Sequence, residues 1–435
     1  EEKLKVNVKN IAVLTEAKKM GFSDKYVARM WKCSELEVYN FRKENNLFNE
    51  KINFIKMDKS DCRYDLYINI LKEELVPAMG CTEPICLAYA ASKAREVLGS
   101  VPNKVDILAS GNIIKNVKSV IVPNTNGMKG LKASVAIGII GGDPTKELEV
   151  IANVTEEQKQ KTQEFLDTTP MNITHINSEE QLDVTIKLYK DGHSASVRIA
   201  GFHTNIVHIQ KDTNVLYKST SISKPSAKLT DRSILSMEGI YDFANSVNID
   251  DVKEILERQL KYNKAISEEG LKNDWGANIG SLLLNNYGND VKVKAKAWAA
   301  AGSDARMNGC EMPVIINSGS GNQGITVSMP VLAYAKEYNI EEERIYRALV
   351  VSNLTAIHQK TLIGRLSAYC GAISAGCAAA CGVAYPLGED IETISKTLTN
   401  SLAVTSGIIC DGAKASCAAK IATAVETGLK GYYMC

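Results

Sequence analysis

The sequence predicts an α+β protein in three parts: a small N-terminal helical module (1–60), a central mixed α/β domain (61–231) and a mainly α-helical C-terminal domain (232–435). Three observations predict it. Between Val105 and Ile209, short β-branched runs alternate with helix-forming stretches. After Arg232 the apolar residues recur with the helical period almost to the end. The first sixty residues carry more lysine and arginine than acid and one glycine, Gly21, which suits short surface helices.

In chain order, Ser23 and Ser34 stand ahead of short amphipathic runs with charged first turns, as N-caps do. A helix follows in 61–100, interrupted by a loop at Pro77–Pro84, and a second begins near Ile85. Strands are expected at KVDILAS, KSVIVPN, LDVTIKLY, SASVRIAG and TNIVHIQ. Helices are expected at the Ala/Ile/Gly-rich 131–141 and the acidic 155–166. The helical C-terminal part is broken by a glycine- and serine-rich loop at 317–324, and its pattern runs through Tyr433 without a breaker, as in a chain that continues.

Composition excludes several classes. With 45 % apolar and 23 % charged residues the chain can bury a large core. A net charge of +1 provides no field for nucleic acid or an anionic membrane. Residues 1–20 lack the apolar stretch of a signal peptide, so the expected location is the cytoplasm. The 23 uncharged residues between Arg365 and Glu389 are mostly Ala, Gly, Ser and Cys, too small to favour insertion, and predict a tightly packed internal helix. Eleven cysteines in a chain this long fit reduced thiols, some of them metal ligands.

Three cysteine neighbourhoods stand out. Cys81 precedes Pro84 at a helix start, where unpaired N–H groups favour thiolate. Cys370 opens the small-residue helix. Cys410 and Cys417 are seven apart; on a continuous helix their Cα atoms lie about 10 Å apart. That span suits an iron–sulfur cluster better than one zinc ion, with buried structural cysteines as the alternative. The loop Asn317-Ser318-Gly319-Ser320-Gly321-Asn322-Gln323-Gly324 presents backbone N–H groups and polar side chains suited to a carboxylate, with Arg306 upstream as a guanidinium partner. The loop reads equally well as an ordinary turn. His203 and His208, five apart in a strand, point to opposite faces and do not share a metal. Trp275 and Trp298 read as core anchors.

The motifs GCTEPI (80–85), GFHTNIVHI (201–209), WGANIG (275–280), SDARM (303–307), NSGSGNQGI (317–325), RLSAYCG (365–371) and CDGAKASCAAK (410–420) together resemble the L-cysteine desulfidase family, which is related to the iron–sulfur L-serine dehydratases. The resemblance runs from about residue 65 to the end. It implies a [4Fe–4S] cluster on three cysteines, one iron open to substrate, and α,β-elimination of L-cysteine to sulfide, ammonia and pyruvate through aminoacrylate. Carried across, the metal ligands are Cys370, Cys410 and Cys417, leaving Cys81 as base or exchangeable fourth ligand; Cys81, Cys370 and Cys410 are the alternative set. Cys81, Glu83 and His203 are then the catalytic candidates, and Thr82, Arg306 and residues 317–323 the substrate-binding ones. An L-serine dehydratase and a non-catalytic iron–sulfur sensor or electron carrier are the rival readings. Separately, EAKKMGFSD…SELEV…FRKENN resembles the helical motif of the oligomerisation region of carbamoyl-phosphate synthetase large chains, which implies an assembly role and a homo-oligomer.

Overall fold

A computed structural model describes residues 2–19, 24–45, 47, 57–219, 229–364 and 367–435. The N-terminal helices Glu2–Val6, Ile11–Lys19, Asp24–Trp31 and Glu35–Glu44 pack around Leu4, Leu14, Val27, Trp31 and Val38. Ser34 caps the last of them in a reciprocal box with Glu37. The cap expected at Ser23 lies outside the described residues.

The central sheet has six strands: β2 (Lys104–Ala109), β3 (Met171–His175), β4 (Asp183–Lys190), β5 (His193–Ala200), β6 (Ile206–Lys211) and β7 (Asn214–Lys218), in the order β3-β2-β4-β5-β6-β7. Only the β2–β3 pair is parallel. Alternate residues Val184, Ile186 and Leu188 of β4 and Ala195, Val197 and Ile199 of β5 are buried, as one covered sheet face requires. Helices Thr82–Leu98 and Gly130–Gly141 supply the cover. They meet closely at Gly138, where a Cβ would lie 2.3 Å from the Ala88 carbonyl.

Four of the five expected strands are present, and KSVIVPN is not one. It makes a single bridge, Ile121 to Lys129, and turns back on itself through Asn124 and Asn126, both at positive φ. Pro123 has no N–H to continue a ladder, and its ring packs on Gly80, where a Cβ would come within 2.0 Å. β3 and β7 lacked the β-branched density that marked the others.

The C-terminal part is a helical assembly of Lys253–Lys272, Val291–Met307, Gly321–Glu337, Glu342–Ile363, Gly371–Ala384, Ile391–Thr405 and Cys417–Tyr433. Residues 64–78 pack into this helical core and not against the sheet. The uncharged stretch is the buried helix Gly371–Ala384, and among the described residues no helix is long and apolar enough to cross a membrane. The structure joins sheet and helices with a short antiparallel pair, β1 (Pro77–Met79) and β8 (Pro313–Ile315). Pro77 pairs with Ile315 and Met79 with Pro313, which sets Cys81 beside the loop that follows Ile316.

Candidate functional site

Cys81, Glu83, Arg306, Gly319, Ser320, Asn322, Gln323, Cys370, Cys410 and Cys417 line one cavity of about 100 Å³. At about 10–15 Å³ per water, that is room for a group of several atoms. The four cysteines singled out by their motifs thus reach one place from three separate stretches of chain.

Cys370 and Cys410 meet because helices Gly371–Ala384 and Ile391–Thr405 carry the chain out and back. The return is closed by a bridge between Tyr369 and Ile409. Cys370 N donates to Ile408 O (3.2 Å) and Cys410 N to Ala368 O (2.7 Å), so the two thiols sit side by side and hydrogen-bond to each other. That bond, the Gly412 N–H, Lys115 and Lys420 hold Cys410 well below the usual thiol range, while Cys370 is pushed up as its partner. The Cys410–Cys417 stretch is not a continuous helix. The helix starts only at Cys417, after a turn at Gly412 with φ +104°, where a Cβ would meet the Lys115 carbonyl at 2.3 Å. The 10 Å helical separation therefore does not apply, and Cys417 enters the cavity from a helix N-terminus.

Cys81 caps helix Thr82–Leu98 and is buried, as is Glu83 in its first turn. The Cys81 thiol donates to Glu83 Oε2 (3.0 Å), and Asn116 Nδ2 donates to Glu83 Oε1 (3.0 Å). Burial pushes the Cys81 thiol well up, with Glu83 adding to the shift, so the thiolate expected from a helix N-terminus is not what this environment favours. Burial also works to raise Glu83, but His203, the Cys81 hydrogen bond and Arg306 outweigh it and hold the carboxyl below its usual range. Thr82 Oγ1 lies 2.9 Å from Gly319 O and 3.2 Å from Glu83 Oε2; it ties the two motifs together without lining the cavity.

Residues 317–324 are only half a loop. Gly321 to Gly324 form the first turn of helix Gly321–Glu337, with Ser320 as N-cap. Asn317 and Ser318 are turned away: Asn317 Nδ2 donates to Asn353 Oδ1 (3.0 Å), Ser318 Oγ donates to Asn317 Oδ1 (2.9 Å), and neither lines the cavity. Gly321 leaves room for Arg306, whose Nε would lie 2.3 Å from a Cβ there. Arg306 is buried and donates from Nη1 to Asn322 Oδ1 (3.1 Å). Burial lowers its pKa, against Cys81, Glu83 and Cys417, which raise it.

His203 precedes β6 in a turn, buried, and lines a neighbouring cavity of about 490 Å³ that shares Gly319 with the first. It acts on Glu83 through charge. His208 is paired within the sheet. Trp275 and Trp298 pack against the helical core, and Cys377 and Cys381 are fully buried in a core helix. Asn116, Lys360, Ser367 and Tyr369 also line the first cavity and were missed by sequence reasoning. Tyr369 stood inside a motif, whereas Asn116 and Lys360 lie in ordinary helical sequence.

Among the described residues no three His, Cys, Asp or Glu side chains converge on one metal ion. The four cysteines that line the cavity are soft sulfur donors of the kind that hold iron–sulfur clusters. Buried polar atoms without partners, Asn116 Oδ1, Arg306 Nε and Gln323 Oε1, belong to residues lining the same cavity, which is the condition of a site built for a polar guest.

The family profile of the serine dehydratase alpha chain matches residues 145–435. Residues 1–46 are similar to the oligomerisation domain of the carbamoyl-phosphate synthetase large chain. A UPF0597 protein of Desulfitobacterium hafniense is 54 % identical over 87 % of this chain and 88 % of its own. UPF0597 proteins of Lachnoclostridium phytofermentans (52 % identical; 84 % of this chain, 88 % of that one) and Treponema denticola (48 %; 86 % and 88 %) are similar over comparable spans.

Proposed function

Because the chain belongs to the serine dehydratase alpha chain family, we propose that it is an iron–sulfur lyase that eliminates sulfide from L-cysteine and yields ammonia and pyruvate. The observation that carries the reading is the gathering of Cys81, Cys370, Cys410 and Cys417 around one cavity with Arg306 and Glu83. Cys370, Cys410 and Cys417 would hold a [4Fe–4S] cluster. The lowered pKa of Cys410 and the nearby Lys115 and Lys420 suit thiolate ligation. When bound, the cluster supplies a Lewis-acidic iron for the departing β-substituent.

The chain's own groups do the rest. Arg306 receives the substrate carboxylate and fixes the α-carbon. Glu83 is the proton acceptor of the Cys81–Glu83 pair, because the proton rests on Cys81 Sγ and the carboxylate is ionised. Asn116 and Cys81 hold the carboxylate in place, and His203 favours its charge. The walls from Ser320 to Gln323 and from Cys410 to Cys417 enclose the reacting atoms and limit water.

L-Serine is the second reading, favoured by the family match itself. Anaerobically reconstituted protein should be brown and release sulfide from L-cysteine faster than it forms pyruvate from L-serine. The reverse preference would make it a serine dehydratase. A reversible redox couple with turnover of neither would indicate a sensor or electron carrier.

A further inference from the structure

Asn116 lies at the end of the short helix Gly111–Val117 and is 7 % exposed. Its amide orientation is set by Glu83: a carboxylate only accepts, so Nδ2 must face Glu83 Oε1 (3.0 Å). Oδ1 is thereby left as an acceptor with no partner, although it is buried and the residue lines the cavity. Gln323, 4 % exposed in the first turn of helix Gly321–Glu337, also has its Oε1 buried without a partner. Its amide is pressed against Gly371, where a Cβ would come within 2.7 Å of Nε2.

Leaving such acceptors empty costs stability, so each is a place where a guest's donor belongs. The residues that line the cavity thus carry two partnerless amide oxygens, the Glu83 carboxylate and the Arg306 guanidinium. A guest with several donors on one positive atom and a carboxylate on the next carbon satisfies all of them; an ammonium has three donors and no acceptor.

We infer that Asn116 Oδ1 and Gln323 Oε1 receive the α-ammonium of the substrate, with Arg306 as partner of its carboxylate, so that the cavity selects α-amino acids over acids without the amino group. The inference rests on the proposed function for its substrate class and adds the residues that enforce it.

The test is calorimetric titration of the anaerobically purified full chain with L-alanine, which has no β-substituent to lose, and with propionate, which has no ammonium. A hydrogen bond to a charged group is worth about 10- to 100-fold in affinity. The wild-type protein should bind L-alanine at least about tenfold more tightly than propionate. Asn116→Leu should lose about 10- to 100-fold in L-alanine affinity and keep propionate affinity within about twofold. Gln323→Met, which keeps length and removes the acceptor, should show the same selective loss and serves if Asn116→Leu does not fold. Equal wild-type binding of both ligands, or parallel loss of both in the variants, overturns the inference. Selective loss in a protein that eliminates from neither cysteine nor serine would sink the proposed reaction and leave the ammonium site standing. Elimination with selectivity untouched by either substitution would sink the ammonium site alone.

Discussion

Glu83 is the carboxylate to which the proposed reaction assigns proton transfer. It sits in a helix first turn, accepts from Cys81 and Asn116, and is held below the usual carboxylate range, against burial, by His203, the Cys81 hydrogen bond and Arg306. Glu83→Gln should lower kcat by about 10²- to 10⁴-fold while leaving bound iron unchanged, because the amide keeps the shape and removes the base. Steady-state rates together with iron analysis check this. Asp304 gives the pH counterpart. Burial raises its carboxyl to about 6, against the N–H groups of Gly280 and Ile279, which lower it. The folded protein therefore holds that proton more tightly than the unfolded chain, so this contribution to stability is full below the ordinary 3.8 and is lost as pH rises through 6. Asp304→Asn, whose amide oxygen can still accept from Gly280, should raise the melting temperature at pH 8, with the gain vanishing near pH 4. A gain unchanged across that range would count against the assignment. Glu83 and Arg306 were legible in the sequence because they stand inside dense motifs. Asn116 was not: nothing in GNIIKN marks it, and only the packing of Gly111–Val117 brings it to Glu83.

At the scale of elements, the site depends on two adjacent helices built from small residues. Gly376 of helix Gly371–Ala384 has no room for a Cβ, which would lie 2.5 Å from the Ala424 carbonyl carbon, and a Cβ at Gly428 would lie 2.4 Å from the Gly376 carbonyl oxygen. This contact brings Cys370, the cap of one helix, and Cys417, the first residue of the other, to the same cavity. Gly376→Val should destabilise the protein by about 1–3 kcal/mol and, by parting the helices, lower iron retention. Denaturant titration and iron analysis report the two effects separately. The uncharged Ala/Gly/Ser/Cys stretch announced this close packing in the sequence. The turn between Cys410 and Cys417 was less legible, since the seven-residue spacing suits a helix and only Gly412, at positive φ against the Lys115 carbonyl, forbids one. KSVIVPN shows the same limit: β-branched side chains favour a strand, but Pro123 and two asparagines in left-handed geometry turn the chain first.

Over the whole molecule, the N-terminal module grips the far ends of those same helices. Arg42 donates to Asp24 (2.7 Å) and to the carbonyls of Leu387 and Gly388 (2.8 Å each). Lys18 pairs with Glu389 (2.9 Å), which also accepts from Tyr432 (3.0 Å). Leu387 to Glu389 follow helix Gly371–Ala384, and Tyr432 ends Cys417–Tyr433, so the charged cluster lies at the opposite ends from Cys370 and Cys417. Arg42→Leu leaves Asp24 and Glu389 buried with less compensation and should cost about 3–5 kcal/mol of stability, read by urea unfolding. The sequence marked the module by its composition and helix caps, but it could not show that Arg42 and Lys18 find partners more than 300 residues away. At the opposite end lie Cys370, Cys410 and Cys417, the thiols that would hold the proposed cluster. The most direct measurement is sulfide and pyruvate formed from L-cysteine by anaerobically iron-loaded protein, wild type beside Cys410→Ala. Equal amounts of both products from brown wild-type protein, and neither from an iron-poor Cys410→Ala, is the predicted result; full activity in a colourless, iron-free protein would contradict it.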